Sequence, residues 1–234
     1  MDAADFQKQI VYKFKTDALL KEALTHRSYL NEHAEWKVPH NERLEFLGDA
    51  VLELVVTEEL FNRYPEKEEG WMTSVRAALV NYITLADVAR NVGIDGAVML
   101  SRGESKDMGR AREVILANAL EALIGAIYQD GGYNAAKKFI NQFVTSRLEE
   151  VIRQELHVDA KSLLQEKVQA TLKVTPVYKV LSSEGPDHKK MFTIGVYFGD
   201  KLIAQGSGPS KQDGEVEAAK AALTIVEKQR RPLV

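Results

Sequence analysis

The stretch Asn41-Glu42-Arg43-Leu44-Glu45-Phe46-Leu47-Gly48-Asp49-Ala50 places three carboxylates within eight residues. It lies in a segment that reads as a helix running to about residue 64. At about 100° per residue, Glu42, Glu45 and Asp49 share one face. Leu44, Leu47, Val51, Leu54 and Val55 share the opposite face and are expected to fill a core. Phe46 falls among the carboxylates, where it cannot join that core, and a partner surface is the simplest cover for it. Gly48 costs a helix about 1 kcal/mol relative to Ala, which makes sense if another backbone or a ligand comes close.

An acidic helix face is most often a solvated surface. Here the like charges sit one turn apart with few bases among them, so their repulsion is unrelieved. A second polar pair, Asn118 and Glu121, stands at i and i+3 on the most apolar helix, read over residues 113–129. An ionised Glu in such a helix is costly without a partner. A core ion pair would serve, but a cation shared with the first helix explains both clusters. Oxygen ligands around phosphate chemistry point to Mg²⁺.

Working outward, the 234-residue chain has room for one large or two small domains. No apolar run approaches the length of a membrane span, and no signal-peptide layout opens the chain. A membrane partner is therefore not expected. There is no Cys, which excludes thiolate metal sites, thiol nucleophiles and disulfides, and suits a cytoplasmic protein. The net charge of −3 hides an asymmetry. Residues 1–156 carry 19 Lys and Arg against 25 Asp and Glu, or −6, and residues 157–234 carry 12 against 9, or +3. An acidic front domain precedes a mildly basic rear one.

Before the acidic helix, residues 5–15 and 17–25 read as short helices, with Asp17 as a cap for the second. A polar loop follows to His40, and His26 and His33 read as structural or surface residues. After Pro65, one long helix is expected over 72–91, with Val75, Leu79, Ile83 and Leu85 inward. Residues 101–112 are glycine-rich and basic: either a flexible loop or one that faces phosphate. Gly131-Gly132 then separates residues 113–129 from a last helix over 134–153. From residue 157 the pattern changes to an Asp159-capped helix with Leu163, Leu164, Val168 and Leu172 inward. Strands follow at 177–181, 191–198 and 201–206, then a final helix with Val216, Ala219, Leu223 and Val226 inward. The expected architecture is multidomain: an all-α domain over 1–153, a linker at 154–158, and a small α+β domain of order α-β-β-β-α over 159–230.

The stretch from Asn41 to Asp49 resembles the signature of the ribonuclease III family. Ala23-Leu-Thr-His-Arg-Ser28 before it, and Glu69-Gly70 and Arg76-Ala-Ala-Leu-Val80 after it, extend the likeness, and residues 115–125 resemble the second acidic motif. The rear part is similar to a double-stranded RNA-binding domain through Asp159-Ala-Lys-Ser-Leu-Leu-Gln-Glu166, Gly185-Pro-Asp-His188 and Gly206-Ser-Gly-Pro-Ser-Lys211.

The resemblance implies a homodimeric endonuclease that cuts both strands of double-stranded RNA in RNA processing. It would use Mg²⁺, with Mn²⁺ as a substitute, and leave 5′-phosphates and 3′-hydroxyls. Glu45, Asp49 and Glu121 would be the catalytic carboxylates around the metal, with Asn118 beside them. Glu42 and Glu69 would be secondary acidic positions, and Phe46 the dimer-interface aromatic. Gln165, Glu166, His188, Lys211 and Gln212 would meet RNA, suiting a duplex read across its minor grooves. The chain departs from the family pattern at Asn118, often Asp, at Gln212, often Lys, and at Gly214, often Ala. Asn118 keeps a second reading open: an RNA-binding protein with a weakened catalytic domain.

Overall fold

The computed structural model describes residues 3–157, 159–186 and 190–229. The chain divides into two compact units between residues 157 and 158. The expected order of a helical unit followed by an α-β-β-β-α unit is the order observed.

In the first unit, α1 (Ala3–Gln9), α2 (Asp17–Ala23) and α3 (Arg27–Glu32) lead to α4 (Glu42–Arg63). Next come α5 (Glu69–Val80), α6 (Tyr82–Asn91), the long α7 (Arg110–Phe143) and α8 (Leu148–Arg153). The middle of α7 is buried nearly all round, through Leu116, Leu120, Leu123, Ile124 and Ile127. It is the axis against which α4 packs, with Leu44, Val51, Leu52, Val55, Val56 and Leu60 in the shared core. Each such side chain contributes roughly 1.5–3 kcal/mol by leaving water.

Glycines bring α4 and α7 into backbone contact. A β-carbon built on Gly48 would lie 1.8 Å from the carbonyl oxygen of Glu121, and one on Gly125 would lie 2.2 Å from that of Leu44. Neither position has room for a side chain. This close approach accounts for the helix-interior glycine in the opening stretch.

Several expectations give way to local detail. The helix expected over 72–91 is two helices. Asn81 stands between them in extended conformation (φ −69°, ψ 156°) and caps α6, accepting from the Thr84 N–H. Its side-chain amide also donates to the Ala78 carbonyl. The break rotates α6, so Val75, Leu79 and Leu85 are core but Ile83 is 56% exposed. The helix expected over 5–15 is α1 alone and ends at Gln9. Within the polar loop, α3 forms because the His26 ring accepts from the Ser28 N–H at its first turn.

The helix expected over 113–129 begins at Arg110 and passes beyond the glycine pair, kinked where Gly132 takes φ 76° and ψ −175°. The segment expected as helix over 134–153 is instead interrupted by a 3-10 turn over Thr145–Arg147 before α8. Leu54 is 52% exposed. The buried stripe of α4 runs through Leu44, Gly48, Val51 and Val55 toward α7, with Leu52 and Val56 beside it, and Leu54 lies off that stripe.

In the second unit, α9 (Ala160–Leu172) and α10 (Lys211–Gln229) cover one face of an antiparallel sheet ordered β1-β2-β3. Its strands are β1 (Pro176–Glu184), β2 (Met191–Phe198) and β3 (Lys201–Gly208), the outer two longer than expected. Asp159 caps α9, accepting from the Lys161 N–H at 3.0 Å. Leu164 and Val168 point inward, whereas Leu172, on the last turn, is exposed. Gly214 has a local reason. A β-carbon there would meet Ile194 of β2 at 2.6 Å, so α10 lies closer to the sheet than an Ala would allow.

Gly48→Ala tests the helix crossing. Alanine favours an isolated helix, yet here the added methyl group would force α4 from α7, at a cost on the order of 1–3 kcal/mol. The melting temperature should fall. Gly70→Ala, at a helical glycine where an added β-carbon would meet nothing within 4 Å, should leave it level or raise it.

Candidate active site

The glycine contact decides where the carboxylates stand. The Glu121 carbonyl occupies the space that a Gly48 side chain would fill, so Asp49 follows the contact point on α4 and Glu121 marks it on α7. Glu45 lies one turn back along α4, and Asn118 one turn back along α7. These two helices therefore bring Glu45, Asp49, Asn118 and Glu121 together.

Their charges feel one another. Burial pushes the Glu121 carboxyl up, and repulsion from Asp49, Glu45 and Glu53 pushes it further, to about 8. Glu45 is also raised, first by burial and then by Glu42, with a smaller push from Asp49. The Asn118 side chain acts the other way, as a hydrogen-bond partner of Glu45 that favours its ionised form. An Asp at position 118 would repel Glu45 when ionised, so the amide relieves part of the crowding.

Beside Glu45 and Asn118 lies a hollow of about 460 Å³. Glu42 and Glu104 add carboxylates to its wall, Ala111, Val114 and Ile115 an apolar side, and His26, Arg27 and Asn41 the rest. Asn41 is buried and ties α4 to the end of α2: its N–H donates to the Thr25 carbonyl at 2.9 Å and its side-chain amide to the Ala23 carbonyl at 3.3 Å. Glu104 reaches the hollow from the segment 101–112. That segment is held by hydrogen bonds from the Ser101 N–H to Ser28 Oγ (3.0 Å) and from the Arg102 N–H to Glu32. Arg27, Asn41 and Glu104 carried no site reading in the sequence. Arg27 sits within the Thr-His-Arg-Ser run, but that run gives no hint of the long-range contacts that build this wall.

A hard divalent cation suits this donor set. It consists of carboxylate oxygens and an amide oxygen, and its mutual repulsion is what a cation would relieve. The oxygens are not drawn together beforehand. Among the described residues, no three His, Asp or Glu side chains form a ready-made cage.

Other predicted residues lie elsewhere. Glu69 opens α5, accepts from Thr73 Oγ1 at 2.8 Å and lines a second hollow with Leu60, Phe61 and Met72. Within one chain it does not join the group around Glu45. Phe46 is 82% exposed. In the second unit, Gln165 and Glu166 are exposed on α9, and Lys211 and Gln212 on the first turn of α10. Ser210 caps that turn, accepting from the Asp213 N–H at 3.1 Å. His188 lies outside the described residues.

Comparison with known proteins places both units. The family model described as Ribonuclease-III-like matches residues 16–148, and the double-stranded RNA binding motif matches residues 160–226. A protein of Oleidesulfovibrio alaskensis named Ribonuclease 3 is 43% identical over 221 residues, covering 94% of this chain and 96% of that protein. Another of that name, from Carboxydothermus hydrogenoformans, is 43% identical over 96% of this chain and 95% of its own length. A crystal structure of the nuclease domain of the Campylobacter jejuni ribonuclease III is similar at 38% identity and a TM-score of 0.56, covering 62% of this chain and 95% of that one.

The raised Glu121 carboxyl has a measurable consequence. The folded chain keeps this proton to about pH 8, whereas an unfolded one releases it near 4.5. Unfolding therefore releases a proton between these values, and the stabilising contribution of the protonated group is lost as pH rises through that window. Glu121→Gln carries no such loss. In metal-free buffer, its melting temperature should gain on the parent's from pH 5 to pH 8 and hold the gain above. A constant difference across that range would mean that Glu121 titrates normally.

Proposed function

The chain belongs to the ribonuclease III family, and from that premise we propose that it is an endoribonuclease cutting both strands of double-stranded RNA at the group Glu45, Asp49, Asn118 and Glu121. The observation that carries the reading is the meeting of these side chains at a backbone crossing, in a chain that also has a double-stranded RNA-binding unit. The alternative of an RNA-binding protein with a weakened nuclease unit is not favoured. Asn118 partners Glu45, and the three carboxylates remain electrostatically coupled.

Glu45, Asp49 and Glu121 would hold the metal, with the Asn118 oxygen beside them and Glu42 as a secondary acidic position. When bound, Mg²⁺, or Mn²⁺ in its place, would supply an activated water and charge relief at phosphorus. The chain's own part is to fix that charge. Glu121, whose carboxyl holds its proton to about pH 8, would have to release that proton to act as a ligand, so cation binding would be coupled to proton release. The partly buried setting of Glu121 and Glu45 would lessen, without removing, the screening of their charge by bulk water. In the second unit, Gln165 and Glu166 on α9, together with His188, would meet the minor groove of the duplex. Lys211 would add its charge to the free N–H groups at the start of α10, a phosphate site, with Gln212 beside it.

Cleaving two strands calls for two such sites, and a homodimer provides them. Phe46, Leu54 and Phe61, 82%, 52% and 68% exposed, run along one face of α4. A hollow of about 170 Å³ beside them is lined by Leu60, Phe61, Met72 and Arg76. A two-fold contact sets each patch against its copy, so a protruding Phe46 ring of one subunit can meet the hollow of the other. Glu69 lines that hollow, and across the dimer it would stand nearer the partner's carboxylates than its own.

Glu121→Gln should lower duplex cleavage by about 100-fold or more, beyond the roughly 10–100-fold typical of changes one shell away from a metal. Duplex RNA binding should stay within about twofold, since the second unit is untouched. Cleavage near the parent's rate would remove Glu121 from the site.

Phe46→Ala should loosen the dimer. At roughly 1.5–3 kcal/mol for a buried ring, the dissociation constant should rise at least about tenfold, as read by sedimentation at several concentrations. An unchanged dimer would place the interface elsewhere.

A further inference from the structure

The hollow beside Glu45 poses an electrostatic problem. Its wall holds three carboxylates, Glu42, Glu45 and Glu104, while the substrate that must lie across it is a polyanion. Among the described residues, Arg27 is the only Lys or Arg that lines it. The Arg27 head is 73% exposed, and its ion-pair partner is Glu42, Nη1 to Oε1 at 3.6 Å. An exposed pair at that distance contributes little, so the guanidinium is available to a better acceptor.

Its backbone, in contrast, is firmly held. Arg27 is flanked by His26, whose ring hydrogen-bonds Ser28 Oγ at 2.8 Å, and by Ser28, whose Oγ accepts from the Ser101 N–H. One residue earlier, the His26 N–H donates to the Met99 carbonyl at 3.1 Å. The arrangement is a loose cationic head on a fixed base, at the mouth of an anionic hollow. A guanidinium presents a planar fork that matches two phosphate oxygens.

We propose that Arg27 is a substrate-binding residue of the nuclease unit, exchanging its weak contact with Glu42 for a backbone phosphate of the RNA strand that lies across the hollow. The assignment rests on the nuclease reading above. It identifies a contact to RNA outside the double-stranded RNA-binding unit. The contact is with phosphate, so it positions the strand without reading its sequence.

The test uses the full-length protein with Mg²⁺ and an unmodified RNA duplex, comparing the parent, Arg27→Gln and Arg27→Lys across a range of salt. Arg27→Gln should raise KM about tenfold and leave kcat within about twofold. Losing one phosphate contact should also make the fall of log(kcat/KM) with log[salt] shallower by about 0.7–0.9. Arg27→Lys should restore the salt slope and part of the KM. Melting temperatures should match, because Arg27 is exposed. The same substitution in a Glu42→Gln background separates two roles: a phosphate contact keeps its KM effect there, whereas a residue that merely neutralises Glu42 loses it. An unchanged KM and salt slope, or an effect that vanishes without Glu42, would overturn the assignment of Arg27 while leaving the nuclease reading intact. A parent that does not cut the duplex would overturn both.

Discussion

The distance between α4 and α7 is set by two hydrogen atoms where side chains would be. With Gly48 and Gly125 in contact with the facing backbone, the helices approach as closely as main chains allow. The placing of the carboxylate group follows from this. Ridges of ordinary side chains hold helix axes 8–10 Å apart, and at such a separation Glu45, Asp49 and Glu121 would be nearer to separate charged residues than to one coupled group. Close packing therefore makes the electrostatics. The core that surrounds the crossing, from Leu44 to Leu60 on one helix and Leu116 to Ile127 on the other, keeps the carboxylates together against their own repulsion.

Burial, together with that repulsion, explains why the site is poised. A protein interior normally rids itself of an unpaired carboxylate by pairing it or protonating it. This chain protonates Glu121 and gives Glu45 an amide neighbour in Asn118. Both are reversible accommodations that a cation would replace. The apolar surroundings of α7 are the source of the strain, and they would make its relief by a cation count for more than the same relief in water.

Much of this is legible in the sequence, because the relevant signals are local. The periodicity of the acidic stretch, the apolar run around Asn118 and Glu121, the shift to strand alternation after residue 157 and the helix-interior Gly48 each fall within a turn or two of chain. The failures also have physical reasons. A helical wheel ranks apolar stripes but cannot say which will find a partner, so it puts Leu54 in the core although α7 takes the neighbouring stripe. Ile83 is misplaced because Asn81 ends one helix and caps the next, its oxygen accepting from the Thr84 N–H while its amide donates to Ala78, a break that periodicity alone does not announce. Arg27 and Glu104 escape notice as site residues because they are 77 residues apart and meet through the pairing of Thr25 with Met99, which no local pattern announces.

The first turns of α4 meet several unrelated demands at once. Leu44 and Val51 belong to the core, Gly48 to the crossing, Asn41 to the tie with α2, Glu45 and Asp49 to the carboxylate group, and Phe46 to the exposed apolar face. A helix has only a few sides, and this one has a distinct employment for nearly all of them, so scarcely a position is left to drift. Elsewhere on the chain, neutral change can spread over a solvated surface. Here almost every substitution must break one obligation to satisfy another.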